Sequence, residues 1–172
     1  MVDTDLLVVR ASLDQVVRLS MYRGDSSDIR IYHDEWGTAT IRDALDALRF
    51  DAPRHYALVE AYTRMVAPSS DGYDRCFPER KITHLADRTL DDGIVSCAIA
   101  LTHEAGHSML HHLRVPCSEQ EDSCIKTEGD CLLELGKEYW EMLGIGYMYP
   151  NIEAYLGLRK MNQEMERQEI DN

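Results

Sequence analysis

His103 and Glu104, with His107 four residues beyond the first histidine, form a His-Glu-x-x-His run. On an α-helix, residues four apart lie on one face, one turn above the other. Two imidazole nitrogens so placed can reach a single zinc ion at roughly 2.0 to 2.1 Å. Glu104 lies about a hundred degrees around the helix from His103. From there its carboxylate can reach water in an open zinc position. Zinc lowers the pKa of such water towards about 7, and a carboxylate in that place takes its proton and passes it to a leaving group. The chemistry expected of these residue types at this spacing is therefore hydrolysis of an amide, with a peptide bond as the first case.

The surroundings strengthen the expectation. The run follows an apolar lead-in, Ile94, Val95, Cys97, Ala98, Ile99, Ala100 and Leu101, of the kind a helix carries at the centre of a domain. Two histidines and a glutamate on a core helix are costly to desolvate unless a metal and hydrogen bonds satisfy them. A catalytic zinc takes three protein ligands and keeps one position open. The third is expected from the next helix, which offers Glu128, Asp130, Glu134 and Glu138. Glu128 ranks first, because it stands in the first turn after an adaptable loop and is followed by Gly129, which permits close approach to the metal helix. Glu134 is the alternative, although Leu133 and Leu135 flank it. His111 continues the face of His103 and His107 and is read as exposed rather than as a supporting group.

The segment His103-Glu104-Ala105-Gly106-His107-Ser108-Met109-Leu110-His111 resembles the metal-binding helix of zincin metallopeptidases. More narrowly, it is similar to small bacterial domains in which His-Glu-x-Gly-His is followed by Leu-His, such as the phage-repressor-cleaving and radiation-response metallopeptidases. In those the third ligand is a glutamate at the start of the next helix, which suits Glu128 or Glu134. A second resemblance is to bacterial domains that pair this helix with a later Glu-x-x-Cys-x-x-Glu-Leu segment, matched here by Glu128, Cys131, Glu134 and Leu135. Pro53 to Val66 looks like the helix before their loop. The resemblance spans about residues 48 to 143. It includes no helix-turn-helix for recruitment to DNA and no metzincin extension after His107. Tyr73, His84 and Tyr147 are candidates for oxyanion stabilisation by residue type alone.

The elements that must hold these residues are legible in outline. The fold expected is α+β and predominantly helical, with a small sheet packed on the central metal-binding helix and on the helix that follows. One zincin-like domain is expected over 1–172, with an N-terminal region 1–52, a metal-site core 53–145 and a C-terminal helix 146–172 that frays at its end. Residues 6–23 carry an apolar stretch and then a helical pattern. Residues 28–33 alternate as a half-buried strand does. Thr40 can cap a helix holding Ile41, Leu45 and Leu48, and Pro53 opens a second that runs to Val66. Residues 67–80 hold Pro68, Gly72 and Pro78 and are expected to be loop. The segment around Ile82 is expected to be the edge strand along which an extended peptide docks. Asp91 or Asp92 caps the metal helix, which ends near Leu113 before Pro116. A charged loop over 118–126, a helix over 127–143 closed by Gly144 and Gly146, and a last helix over 151–167 complete the pattern.

Composition bounds the partners. The chain has 172 residues, 44% of them hydrophobic, with 18 basic against 31 acidic residues and a net charge of −13. That charge opposes binding to nucleic acid or to anionic membrane surfaces, and a peptide or protein substrate is the partner expected. The N-terminus has no basic region before its apolar stretch and does not read as a secretory signal, so a cytoplasmic location is expected. The five cysteines show no Cys-x-x-Cys pair and are expected to be reduced, with export and disulfides as the alternative. Three rivals stand beside the peptidase: a zinc enzyme acting on a small-molecule amide, a binding or regulatory protein stapled by a four-ligand structural zinc, and a partner-dependent toxin or regulator silent in isolation.

Overall fold

The computed structural model describes residues 29–170, so the apolar stretch at 6–23 and the last two residues lie outside the described part. The architecture is α+β and mostly helical, with one small mixed sheet. In chain order come β1 (Arg30–Ile31), α1 (Glu35–Asp51), α2 (Pro53–Tyr62), β2 (Met65–Pro68), β3 (Arg75–Phe77), β4 (Ile82–Leu85), α3 (Asp87–Asp91), α4 (Ile94–His112), α5 (Cys117–Leu135), α6 (Lys137–Met142) and α7 (Ile152–Ile170).

The sheet runs β1-β2-β4-β3, with β1, β2 and β4 parallel and β3 antiparallel to β4. The strand around Ile82 is therefore interior, pairing Ile82 with Met65 on one side and with Phe77 on the other. The edge beside α4 belongs to β3, which forms inside the stretch expected to be loop. β2 likewise takes Met65 and Val66, expected to be helical, and Ala67 and Pro68, expected to be loop. α2 ends at Tyr62 because Thr63 turns extended, and Arg64 and Met65 then both donate their N–H groups to the Lys81 carbonyl.

Helix starts differ from expectation where a better cap is present. Asp34, not Thr40, caps α1, its carboxylate accepting from the Gly37 N–H at 2.7 Å. Thr40 lies inside the helix and donates to the Trp36 carbonyl. Asp91 and Asp92 close the short α3, while Gly93, at φ 94°, opens α4 without a side-chain cap. The stretch 118–126 is not a loop but part of a single helix, α5, which Gly136 ends at φ 105°.

α4 is the central helix. It packs on α1, α2 and α5 and under the sheet, with Leu101, Ala105 and Met109 fully buried among Leu48, Leu58, Leu85 and Leu132. Each of these leucine and methionine side chains contributes about 1.5–3 kcal/mol on burial. Trp140 of α6 is also fully buried, and its indole N–H donates to the Leu132 carbonyl at 2.7 Å. Cys76, Cys97, Cys117, Cys124 and Cys131 are all free thiols. No helix among the described residues is long and apolar enough to cross a membrane.

Candidate metal centre

The centre is built between α4 and α5, the most extensively packed pair of helices. α4 presents His103 and His107 one turn apart, and their Nε2 atoms face each other at 3.0 Å. α5 presents Gln120, Glu121, Cys124 and Glu128, whose spacing repeats every three to four residues and so gathers them on one face. The Glu121 carboxylate straddles the pair, with Oε1 3.5 Å from His103 Nε2 and Oε2 3.2 Å from His107 Nε2. One ligand atom each from His103, His107 and Cys124 also lies within 4.8 Å of the others. This buried group could hold a metal ion.

The opposite ring nitrogens are both engaged. Gln120 donates from its amide nitrogen to the Val115 carbonyl at 2.7 Å, which turns its oxygen towards His107. That oxygen accepts from His107 Nδ1 at 3.1 Å. Glu128 Oε1 accepts from His103 Nδ1 at 2.6 Å. With Nδ1–H used in both rings, each Nε2 offers a lone pair. Two lone pairs and a carboxylate then converge at 3.0 to 3.5 Å, and only positive charge among them satisfies the arrangement. An added proton on His103 is the smaller answer. Burial pulls that residue's pKa down, but the hydrogen bond and charge of Glu128, joined by Glu104 and Glu121, outweigh burial and hold it above the usual histidine range. A metal ion is the larger answer. Donors held at roughly 2.0 to 2.1 Å in a tetrahedron stand about 3.3 Å apart, and the observed separations bracket that spacing.

Glu128 is drawn into this cluster, but behind His103 rather than among the converging atoms. A carboxylate hydrogen-bonded to Nδ1 does not reach a metal held by Nε2 of the same ring. The expected third-ligand position is thus not where its side chain stands. Glu128 is 1% exposed and also takes the Tyr155 hydroxyl and the Arg159 guanidinium. Burial pushes its pKa up, but His103 and then Arg159 outweigh that and hold it below the ordinary carboxylate range. The alternative, Glu134, is turned elsewhere: it meets His55 Nδ1 at 2.5 Å and accepts from the Arg54 N–H at 3.2 Å. Gly129 does not face the metal helix. A β-carbon there would meet Ile152 and Tyr155 of α7, and it is Gly106 that admits Cys124 to α4.

Glu104 is buried beside the two histidines. Burial raises its pKa, with the charges of His103 and His107 pulling the other way. Cys76 of β3 also lowers the pKa of Glu104, and its own thiol is pushed up to about 11 by burial. His111 is exposed and bonds Glu79 at 2.9 Å, away from the centre. Of the residues suggested by type, Tyr147 is 85% exposed, Tyr73 lies under Arg88 and His84 packs at a tilt against Phe77.

Gln120, Glu121 and Cys124 fall within 118–126, where the sequence carries no apolar period to mark a helix. Their signal is the spacing 120, 121, 124, 128, which becomes visible once that stretch is treated as helical. Comparison with protein-family models, curated proteins and solved structures finds no match to this chain.

Proposed function

We propose that the protein is a zinc-dependent hydrolase of zincin type that cleaves peptide bonds. His103, His107 and Glu121 hold the metal and Glu104 serves as general base. The observation that carries the reading is the convergence of His103 Nε2, His107 Nε2 and the Glu121 carboxylate within 3.0 to 3.5 Å, with both Nδ1 atoms engaged behind them. Two imidazoles and a carboxylate are the donor set of catalytic zinc sites that leave a position open.

Zinc in this site supplies Lewis acidity, polarising the substrate carbonyl and acidifying water. The chain's own residues do the rest. Glu104, its pKa raised by burial, takes a proton from the attacking water and returns it to the departing amine. Gln120 and Glu128 fix the ring orientations of His107 and His103. β3 pairs with β4 alone among the described strands and packs on α4, the helix that carries Glu104. Its other edge suits an extended peptide laid beside the base.

Elemental analysis of wild type and of His107→Ala, Glu121→Ala and Glu134→Ala tests the site. One zinc per chain, lost in the first two variants and kept in the third, is expected. A folded wild-type chain that refuses zinc removes the reading.

A second reading rests on Cys124. Its sulfur lies close enough to both histidines to be a fourth ligand, which makes a closed, structural site. Cobalt substitution separates the two. A thiolate-to-cobalt charge-transfer band that disappears in Cys124→Ser supports the closed site, and its absence supports the open one.

A further inference from the structure

We propose that Tyr155 and Arg159 of α7 are positioning residues for the metal centre, holding the Glu128 carboxylate so that it fixes the ring of His103. The inference rests on the zinc reading above and adds a third helix to a site that otherwise belongs to two.

The geometry is a chain of contacts around one buried carboxylate. Glu128 Oε2 accepts from the Tyr155 hydroxyl at 2.7 Å and from Arg159 Nε at 2.7 Å. Oε1 accepts from Arg159 Nη2 at 3.0 Å and from His103 Nδ1 at 2.6 Å. The guanidinium thus grips both oxygens in a fork, the arrangement that fixes a carboxylate in plane as well as in place. With the hydroxyl added, the carboxylate cannot rotate without giving up a donor. The lone pair left to His103 therefore has one direction, and with it the ring has one orientation, Nε2 towards His107. A buried carboxylate also needs its charge matched, and Arg159 does so from outside the metal cluster.

α7 is seated to make this contact. Ile152 and Tyr155 pack where Gly129 has no β-carbon. Lys160 pairs with Asp122 at 3.1 Å on the same face of α5, its side chain about half exposed and that of Asp122 more so. Coupling between the two events is reciprocal: if docking of α7 orients a metal ligand, zinc in turn holds α7 down.

The test measures zinc affinity of the full chain by competition with a chromophoric chelator, at a temperature where every variant is folded by circular dichroism. Tyr155→Phe removes one hydroxyl and Arg159→Gln removes the fork. Arg159→Lys keeps the charge without the bidentate geometry, and Lys160→Gln is the control on the same helix. Losses of about 10- to 100-fold are expected for Arg159→Gln, as for removal of a group behind a ligating histidine. Smaller losses are expected for Tyr155→Phe and Arg159→Lys, and none for Lys160→Gln.

The zinc-free proteins supply a second readout. The His103 Nδ1–H proton resonance, shifted downfield by its short bond to Glu128, moves upfield or broadens in the Tyr155 and Arg159 variants. A purely structural ion pair would lower the melting temperature without moving either readout. Wild type that binds zinc, with Tyr155→Phe and Arg159→Gln binding equally well, overturns this inference and leaves the zinc site standing. Wild type that binds none overturns both.

Discussion

Cys124 seats its sulfur against Gly106, 3.2 Å from where a β-carbon at that position would stand. The close approach of α4 and α5 at the metal centre depends on that missing methyl group. Alanine at 106 gains up to about 1 kcal/mol of helix propensity but overpacks a buried contact, which costs about 1–3 kcal/mol. Gly106→Ala is expected to lose about 1 kcal/mol in the native background and to become stabilising in Cys124→Ala. Urea midpoints around the four-chain cycle measure this. Equal stabilisation in both backgrounds would show that the contact is not tight.

Glu104→Gln keeps the size of the side chain and removes its basicity. Turnover on a peptide substrate is expected to fall by about two to four orders of magnitude, while zinc content and fold are kept. A variant that retains full activity would remove Glu104 from the chemistry.

Glu121, Glu128 and Glu134 of α5 separate by role. Glu121→Gln is expected to lose the stabilisation that zinc confers, about 4 kcal/mol when the metal is at a thousand times its dissociation constant, with little change in the zinc-free chain. Glu128→Gln weakens zinc binding and also destabilises the zinc-free chain, because its partners are buried. Glu134→Ala leaves zinc untouched and costs about 1–3 kcal/mol, since His55 is left buried without its acceptor. Thermal melts with and without a chelator distinguish these patterns.

Glu134 also sets a pH dependence. Burial pushes its pKa up, but the hydrogen bond and charge of His55, with the Arg54 N–H, outweigh burial and hold it below the ordinary value of 4.5. A carboxylate whose folded pKa is depressed contributes stability above the unfolded value and loses it as pH falls through the folded one. The zinc-free chain is therefore expected to lose stability as pH drops below 4.5, and that acid limb is expected to be shallower in Glu134→Gln. Parallel limbs in the two proteins would contradict the assignment.

His103, Glu104 and His107 were legible because the helix period and the chemistry coincide in one short run. The partner face of α5 was not. A helix that faces a polar site buries polar residues, and Gln120, Ser123, Thr127 and Glu128 are all buried. Apolar periodicity is therefore absent from the first half of the helix. The buried hydroxyl of Thr127 bonds back to Ser123 within the helix at 2.9 Å, an economy that leaves no apolar trace. β3 was missed for a different reason. Three residues are too few to alternate visibly, and its place is set by pairing with β4. At Thr40 and Val66 competition moves the element boundaries: Asp34 offers a better cap, and β4 offers β2 a partner.

The fork on Glu128 has a consequence in time. Arg159 follows that carboxylate by 31 residues, so α4 and α5 both precede in the chain the guanidinium that grips Glu128. Until α7 docks, α4 and α5 meet around a carboxylate that has His103 but lacks the fork of Arg159 and the hydroxyl of Tyr155. The hydrogen bonding of Glu128 is thus complete only when the last described helix has docked.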